Sequence, residues 1–171
     1  PRLIKSSTFT SHSDYALRFD GNGRGDVYNC KVSNNNYGIY AGDIVQNSII
    51  SNNTEYGISD VQSVMNSTVV SNRSGISNAQ SVINSIIYFN SEFQTQYTGN
   101  ITYSNIQGGL DGEGNIDSNP GFLDFYNLNL HESSPCIDAG NPDPSYSDLC
   151  FPPSTGTSIN DMGAYGGAGA C

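Results

Sequence analysis

Tryptophan is absent from this 171-residue chain, and cations are scarce: six Lys and Arg stand against sixteen Asp and Glu. The formal net charge is −10. Binding nucleic acid by counterion release requires clustered cations, and these six are scattered from Arg2 to Arg73. A nucleic-acid partner and an anionic membrane surface are both disfavoured. No apolar run approaches a membrane span, which argues against membrane insertion, and no signal peptide is visible. There is no C-x-x-C pair, so zinc spacing is missing. The two histidines, His12 and His131, are far apart and support neither a triad nor a metal site. Charged residues make up 13% of the chain, against about a quarter in an average domain. Disorder goes with low hydrophobicity and dense charge, so this composition argues for an ordered chain using Asn and Ser structurally. Its length suits one domain with a real core. The opening Pro1-Arg2-Leu3-Ile4, without Met, reads as a processed or fragmentary start, or equally as the product of tag removal.

What the chain does contain is a repeat. Val27, Val45, Val64, Val82 and Ile101 recur every 18 or 19 residues. Three residues on stand Cys30, Ser48, Ser67, Ser85 and Ser104, and two further on Val32, Ile50, Val69, Ile87 and Ile106. Ile4, Ser7 and Phe9 form a fainter first copy. Gly38-Ile39, Gly57-Ile58 and Gly75-Ile76 punctuate each unit, and Ala16-Leu17 matches them with about four residues inserted before Val27. One unit therefore reads as three short strands with inward residues alternating at period two.

Asn29, Asn47, Asn66 and Asn84 form one in-register series, and Asn35, Asn53, Asn72 and Asn90 another. Asn tolerates the left-handed backbone region, and stacked amides bond to neighbouring copies, so both series predict ladders. The sequons at Asn52, Asn66, Asn72 and Asn100 read as by-products of this Asn-, Ser- and Thr-rich repeat. A left-handed hexapeptide helix also has an 18-residue coil, but it needs apolar residues where Ser33 and Ser51 stand. The predicted fold is thus all-β: a right-handed single-stranded parallel β-helix of about six coils. Residues 1–110 would form the coils and 111–171 a loop-rich C-terminal cap. At about 4.8 Å per coil, the rod would be on the order of 30 Å long. Its first coil has no obvious cap, leaving Ile4 and Phe9 for edge pairing.

Of the four cysteines, Cys30 replaces a repeat Ser and reads as a buried free thiol. Among the other three, a Cys150–Cys171 bridge would tie the last residue to the long terminal loop.

After Ile106 the repeat stops. The strings Gly112-Glu-Gly-Asn-Ile-Asp-Ser-Asn-Pro-Gly-Phe-Leu-Asp124, Ser134-Pro-Cys-Ile-Asp-Ala-Gly-Asn-Pro142 and Asn160-Asp-Met-Gly-Ala-Tyr-Gly-Gly167 follow. They resemble the closing region of bacterial secreted right-handed β-helix repeat proteins of the pectate-lyase-like superfamily, particularly those ending in a choice-of-anchor Q domain. The resemblance spans roughly Val27 to Gly167. It implies a secreted or cell-surface location and, in the enzymes of that superfamily, an Arg or Lys base with calcium held by acidic residues. Phe122, Leu123, Leu128, Leu130, Ile137 and Met162 are expected to cover the last coil, with four prolines from Pro142 to Pro153 stiffening the excursion.

Arg18, Lys31 and Arg73 are the candidate ligand-binding cations, though none repeats in register. The loop Asp20-Gly-Asn-Gly-Arg-Gly-Asp26 offers Asp20, Asn22 and Asp26 as calcium ligands, or is simply a Gly-rich turn. Its Arg24-Gly25-Asp26 also spells an integrin-type triplet. Asp138, Asn141, Asp143, Asp148 and Asp161 form a second acidic group that would hold the terminal loop through backbone amides or bind calcium. Tyr28, Tyr37, Tyr40, Tyr56, Tyr88, Tyr97 and Tyr103 would stack on sugars or pack along the coils. No paired catalytic constellation is legible. The expected function is a non-catalytic extracellular module that binds polysaccharide or cell-surface glycan, or serves as a scaffold. The alternatives are the terminal part of a polysaccharide lyase or glycoside hydrolase, and an oligomerisation module pairing through the N-terminal coil.

Overall fold

The computed structural model describes residues 2–20 and 24–171. Among them, fifteen strands follow in order: β1 (Arg2–Lys5), β2 (Thr8–Thr10), β3 (Tyr15–Arg18), β4 (Gly25–Tyr28), β5 (Lys31–Ser33), β6 (Tyr37–Tyr40), β7 (Ile44–Gln46), β8 (Ile49–Ser51), β9 (Tyr56–Met65), β10 (Thr68–Val70), β11 (Ser74–Ile83), β12 (Ile86–Tyr88), β13 (Phe93–Gln96), β14 (Asn100–Thr102) and β15 (Asn105–Ile106). All pair in parallel. The chain is a parallel β-solenoid with three faces per coil.

The first face stacks β3, β6, the first halves of β9 and β11, and β13. The second stacks β1, β4, β7, the second halves of β9 and β11, and β14. The third runs β2–β5–β8–β10–β12–β15. Six strands stand on that last face, but the end coils are incomplete, so the solenoid has about five turns rather than six.

The registers are those of the repeat. Ile4, Val27, Val45, Val64, Val82 and Ile101 align on the second face. Phe9, Val32, Ile50, Val69, Ile87 and Ile106 align on the third. Leu17, Ile39, Ile58 and Ile76 align on the first, ending at Thr95. These rows form one buried core, each fully buried aliphatic side chain stabilising it by about 1.5–3 kcal/mol. Phe19, unremarked in the sequence, is buried with them and occupies the space beside Gly25.

Left-handed residues turn the corners: Ala41, Asp60, Asn78 and Tyr97 between the first and second faces, and Ser6, Asn29, Asn47, Asn66, Asn84 and Tyr103 between the second and third. Ser11, Asn34, Asn52, Ser71 and Phe89 turn the third corner. Asn prevails there because its short polar side chain tolerates that backbone region.

Of the two expected asparagine ladders, the structure forms one. Asn35, Asn53, Asn72 and Asn90 lie just after the third corner with their amides buried. Nδ2 of Asn35 donates to Oδ1 of Asn53, Asn53 to Asn72 and Asn72 to Asn90, at 2.8–3.1 Å. The same oxygens accept the backbone N–H groups of the preceding Asn. The His12 amide closes one end and the Gln94 side chain the other. A row of hydroxyls runs parallel: Ser48, Ser67, Ser85 and Ser104 each accept a backbone N–H from the preceding coil. The glycines at 38, 57 and 75 lie against the amide ladder, where an added Cβ would meet the Nδ2 groups of Asn53, Asn72 and Asn90.

Asn47, Asn66 and Asn84 do not bond to one another. Their amides reach outward to the C-terminal segment, because this segment lies along the corner instead of sitting over the last coil. Asn47 Nδ2 donates to the Ala164 and Gly166 carbonyls, Asn66 Nδ2 to Asn160 Oδ1, and Asn84 Oδ1 accepts from Asn141 N–H. Leu128 and Met162, expected to cover the end, are buried against Ile49, Val70 and Ile86 on the outside of the third face. Leu123 is 62% exposed. The turn around Ile116 tops the last coil: its N–H donates to Ser104 O, and Asn115 Oδ1 accepts from Ser104 N–H. The third strands are buried on both faces, which is why they read Ile49-Ile50, Val69-Val70 and Ile86-Ile87 without alternation.

Candidate functional site

The left-handed Asn row at the second corner has four members, and the C-terminal segment covers three. Asn29, the fourth, stays exposed. Beside it an open cleft of about 400 Å³ lies between the first coils and the returning segment. Its solenoid side carries Ser6, Ser7, Thr8, Asn29 and Lys31, and its far wall carries Asn127 and Tyr165. Hydroxyls, amides and Lys31 alternate there with the Tyr165 ring and an apolar floor that includes Ile49, Pro153 and Ala164. Asn47, 6% exposed, lines its inner end, and its Oδ1 has no hydrogen-bond partner.

Lys31 is held in place at the cleft's edge. Its Nζ donates to the Tyr126 carbonyl at 2.8 Å and lies over that residue's ring. Beyond it an aromatic ridge continues through Phe89, Phe125 and Phe122, in edge-to-face contacts of 5.7 and 6.3 Å. Phe125 and Tyr126 are 63% and 75% exposed. Ser33, Asn34, Ser51 and Asn52 line a small recess beside them.

The other two candidate cations lie elsewhere and are engaged locally. Arg18, ending β3, bonds Asp20 at 2.8 Å and covers the Tyr15 and Tyr40 rings. Arg73, at the third corner, bridges Glu55 and Glu92 of the adjacent coils, each at 2.8 Å. That hydrogen bond to Arg73 holds the Glu92 carboxyl below its ordinary range. Lys31, Arg18 and Arg73 thus form no common groove.

No family model, curated protein or solved structure matches this chain.

Asn22 lies outside the described residues, Asp20 is occupied by Arg18, and Asp26 is half-buried in β4. Among the described residues no three His, Cys, Asp or Glu side chains gather as metal ligands. Arg24-Gly25-Asp26 enters a strand paired on both sides, unlike an exposed loop triplet. The acidic residues of the terminal loop instead accept backbone N–H groups: Asp161 from Asp138 and Thr155, Asp138 from Thr157, Asp148 from Asp161 and Gly167. Burial, reinforced by the neighbouring Asp161 charge, pushes the Asp148 carboxyl up to about 6. Burial likewise pushes the free Cys136 thiol up to about 11.

The tyrosine row offers edges, not faces. Tyr15 and Tyr37 stack at 4.6 Å, Tyr37 and Tyr56 at 6.4 Å, and Arg18 covers Tyr15. These rings pack against one another along the rod, while the most exposed aromatic side chains are Tyr97 at a corner and the neighbouring pair Phe125 and Tyr126. Sequence reasoning reached Lys31 but missed Asn127 and Tyr165, which stand more than ninety residues from it in the chain. The unalternated third strands were the available signal, since they require cover on their outer side.

Proposed function

We propose that this chain is a non-catalytic, secreted or cell-surface module that binds a glycan in the cleft beside Asn29. The observation that carries the reading is the interrupted row: three equivalent corner amides bond to the C-terminal segment, and the fourth, Asn29, faces an open cleft. Hydroxyl and amide groups beside an aromatic wall suit a saccharide, which presents alternating donors, acceptors and C–H faces. The fixed Lys31 ammonium favours a sugar bearing a carboxylate. The Cys150–Cys171 disulfide supports an oxidising location, where such bridges persist. The resemblance of the C-terminal strings to secreted pectate-lyase-like repeat proteins supports the same placement. Arg18 and Arg73, neutralised by their acidic partners, support a structural rather than catalytic role for the basic residues.

Calorimetric titration with neutral and uronate-rich oligosaccharides tests this. The uronate-rich ligand should bind, and Asn29→Ala with Lys31→Gln should weaken it by roughly tenfold or more, the scale of one or two lost charge-assisted hydrogen bonds. Absence of heat with every oligosaccharide would sink the reading. New reducing ends or unsaturated uronate, with calcium or with chelator, would replace it with a hydrolase or a lyase.

A further inference from the structure

A second cavity, of about 190 Å³, adjoins the cleft. Pro153 and Tyr165 line both spaces and stand between them. The turn from Phe122 to Leu130 supplies another wall: Phe122 bridges Leu130 in antiparallel fashion, and Leu123 N–H donates to Asn129 O. Leu123, Leu130, Pro153 and the Tyr165 ring make the cavity apolar, while Asn129, Thr155 and Asp161 bring polar groups to it. Leu123, 62% exposed, stands at the mouth. The Tyr165 ring is fixed, because its hydroxyl donates to the Asn127 carbonyl.

Asp161 is 1% exposed. Its main chain is engaged by other neighbours, the N–H donating to Asp148 Oδ2 and the carbonyl accepting from Asn66 Nδ2. Its carboxyl turns to Thr155, the wall residue beside it. Oδ2 accepts the Thr155 N–H and hydroxyl, and Oδ1 accepts the Asp138 N–H. An ionised carboxylate offers about four acceptor positions, so one on Oδ1 is still to be filled. The ion pairs of the described residues engage Asp20, Glu55 and Glu92 instead. Burial, with the Asp138 charge beside it, pushes the Asp161 carboxyl above its ordinary value, an effect that a neighbouring cation would reverse.

We infer that this cavity binds a small primary ammonium carrying a short apolar body. The ammonium donates to the free position on Asp161 Oδ1, with the Asn129 side-chain carbonyl and the Thr155 hydroxyl as further acceptors. The body lies against Leu123 and Leu130, and the face of the Tyr165 ring attracts the charge. A cavity of about 150 Å³ is enough for benzene, so this one admits a ligand of roughly six to ten heavy atoms. A pyranose, hydroxylated on every side, does not suit these walls. The site is therefore separate from the glycan cleft on the other side of Tyr165 and does not depend on it.

Calorimetry and NMR near neutral pH test it with n-butylammonium and benzylammonium, each paired with the alcohol of the same shape. Each ammonium should bind roughly tenfold tighter than its alcohol or more, the scale of one charge-assisted hydrogen bond. It should also shift the Leu123, Leu130 and Tyr165 resonances. Leu123→Trp, at an exposed position and checked for native circular dichroism, should narrow the mouth and weaken binding by roughly tenfold or more. Equal binding of ammonium and alcohol would reduce the site to an apolar void and overturn the inference. Binding undiminished in Leu123→Trp, or shifts confined to surface acids, would put the cation elsewhere and overturn it too. So would the absence of heat with both amines.

Discussion

Nδ2 of Asn53 donates to Oδ1 of Asn72 at 2.8 Å, and the backbone N–H of Asn53 donates to the same oxygen at 3.1 Å. One carbonyl oxygen thereby satisfies both donors of the residue one coil earlier. Asn72 Nδ2 in turn donates to Ile50 O, Val70 O and Asn90 Oδ1. The ladder joins successive coils through groups that have no access to water.

Replacing Asn72 by Ala should therefore cost about 3–5 kcal/mol, because several buried groups lose partners at once. Asn35→Ala should cost less, since its oxygen serves the half-exposed end at His12. Urea denaturation of both variants checks this. Equal, small losses would show that the ladder is ornamental to stability.

Gly75→Ala should destabilise the same region from the neighbouring row. The new Cβ would collide with the Gln94 carbonyl and stand 3.0 Å from Asn90 Nδ2. A loss of about 1–3 kcal/mol is expected, as for overpacking in a core. Ala16 holds the equivalent place in the first register. A neutral Gly75→Ala would mean that the coils separate easily at that point.

Stability should fall as pH rises through the range set by Asp148. Its carboxyl, 2% exposed, is pushed up to about 6 chiefly by burial, above the unfolded carboxylate value of about 3.9. Folding therefore favours the protonated form. The contribution is complete below the unfolded pKa and is lost as pH passes the folded one. Relative to Asp148→Asn, the wild type should lose about 2 kcal/mol between about pH 4.5 and about pH 7. Parallel stability curves for the two proteins would show that Asp148 titrates normally.

Opening the Cys150–Cys171 bridge should loosen the end of the C-terminal segment. The bridge spans 21 residues, and loop-closure entropy for that length is worth about 3 kcal/mol. In Cys171→Ser, residues 166–171 should become susceptible to proteolysis and their amide protons should exchange faster. Their contact with Asn47 through Gly166 would then no longer be tied down. Unchanged exchange at Gly166 and Ala170 would show that hydrogen bonding alone secures the segment.

The sequence by itself determined the coil. Val27 through Ile101 and Phe9 through Ile106 recur because each inner position meets its own copy one strand spacing away, so periodicity in the chain becomes contact in space. The ladder at Asn35–Asn90 was legible for the same reason. The course of the C-terminal segment was not. Its residues have no repeating partners, and its contacts with Asn47, Asn66 and Asn84 join positions separated by between 57 and 119 residues. Local spacing places those three Asn and Asn29 in identical left-handed corners. Only the tertiary path, drawn onto the apolar outside of the third face, decided that three amides would be covered and that Asn29 would face a cleft.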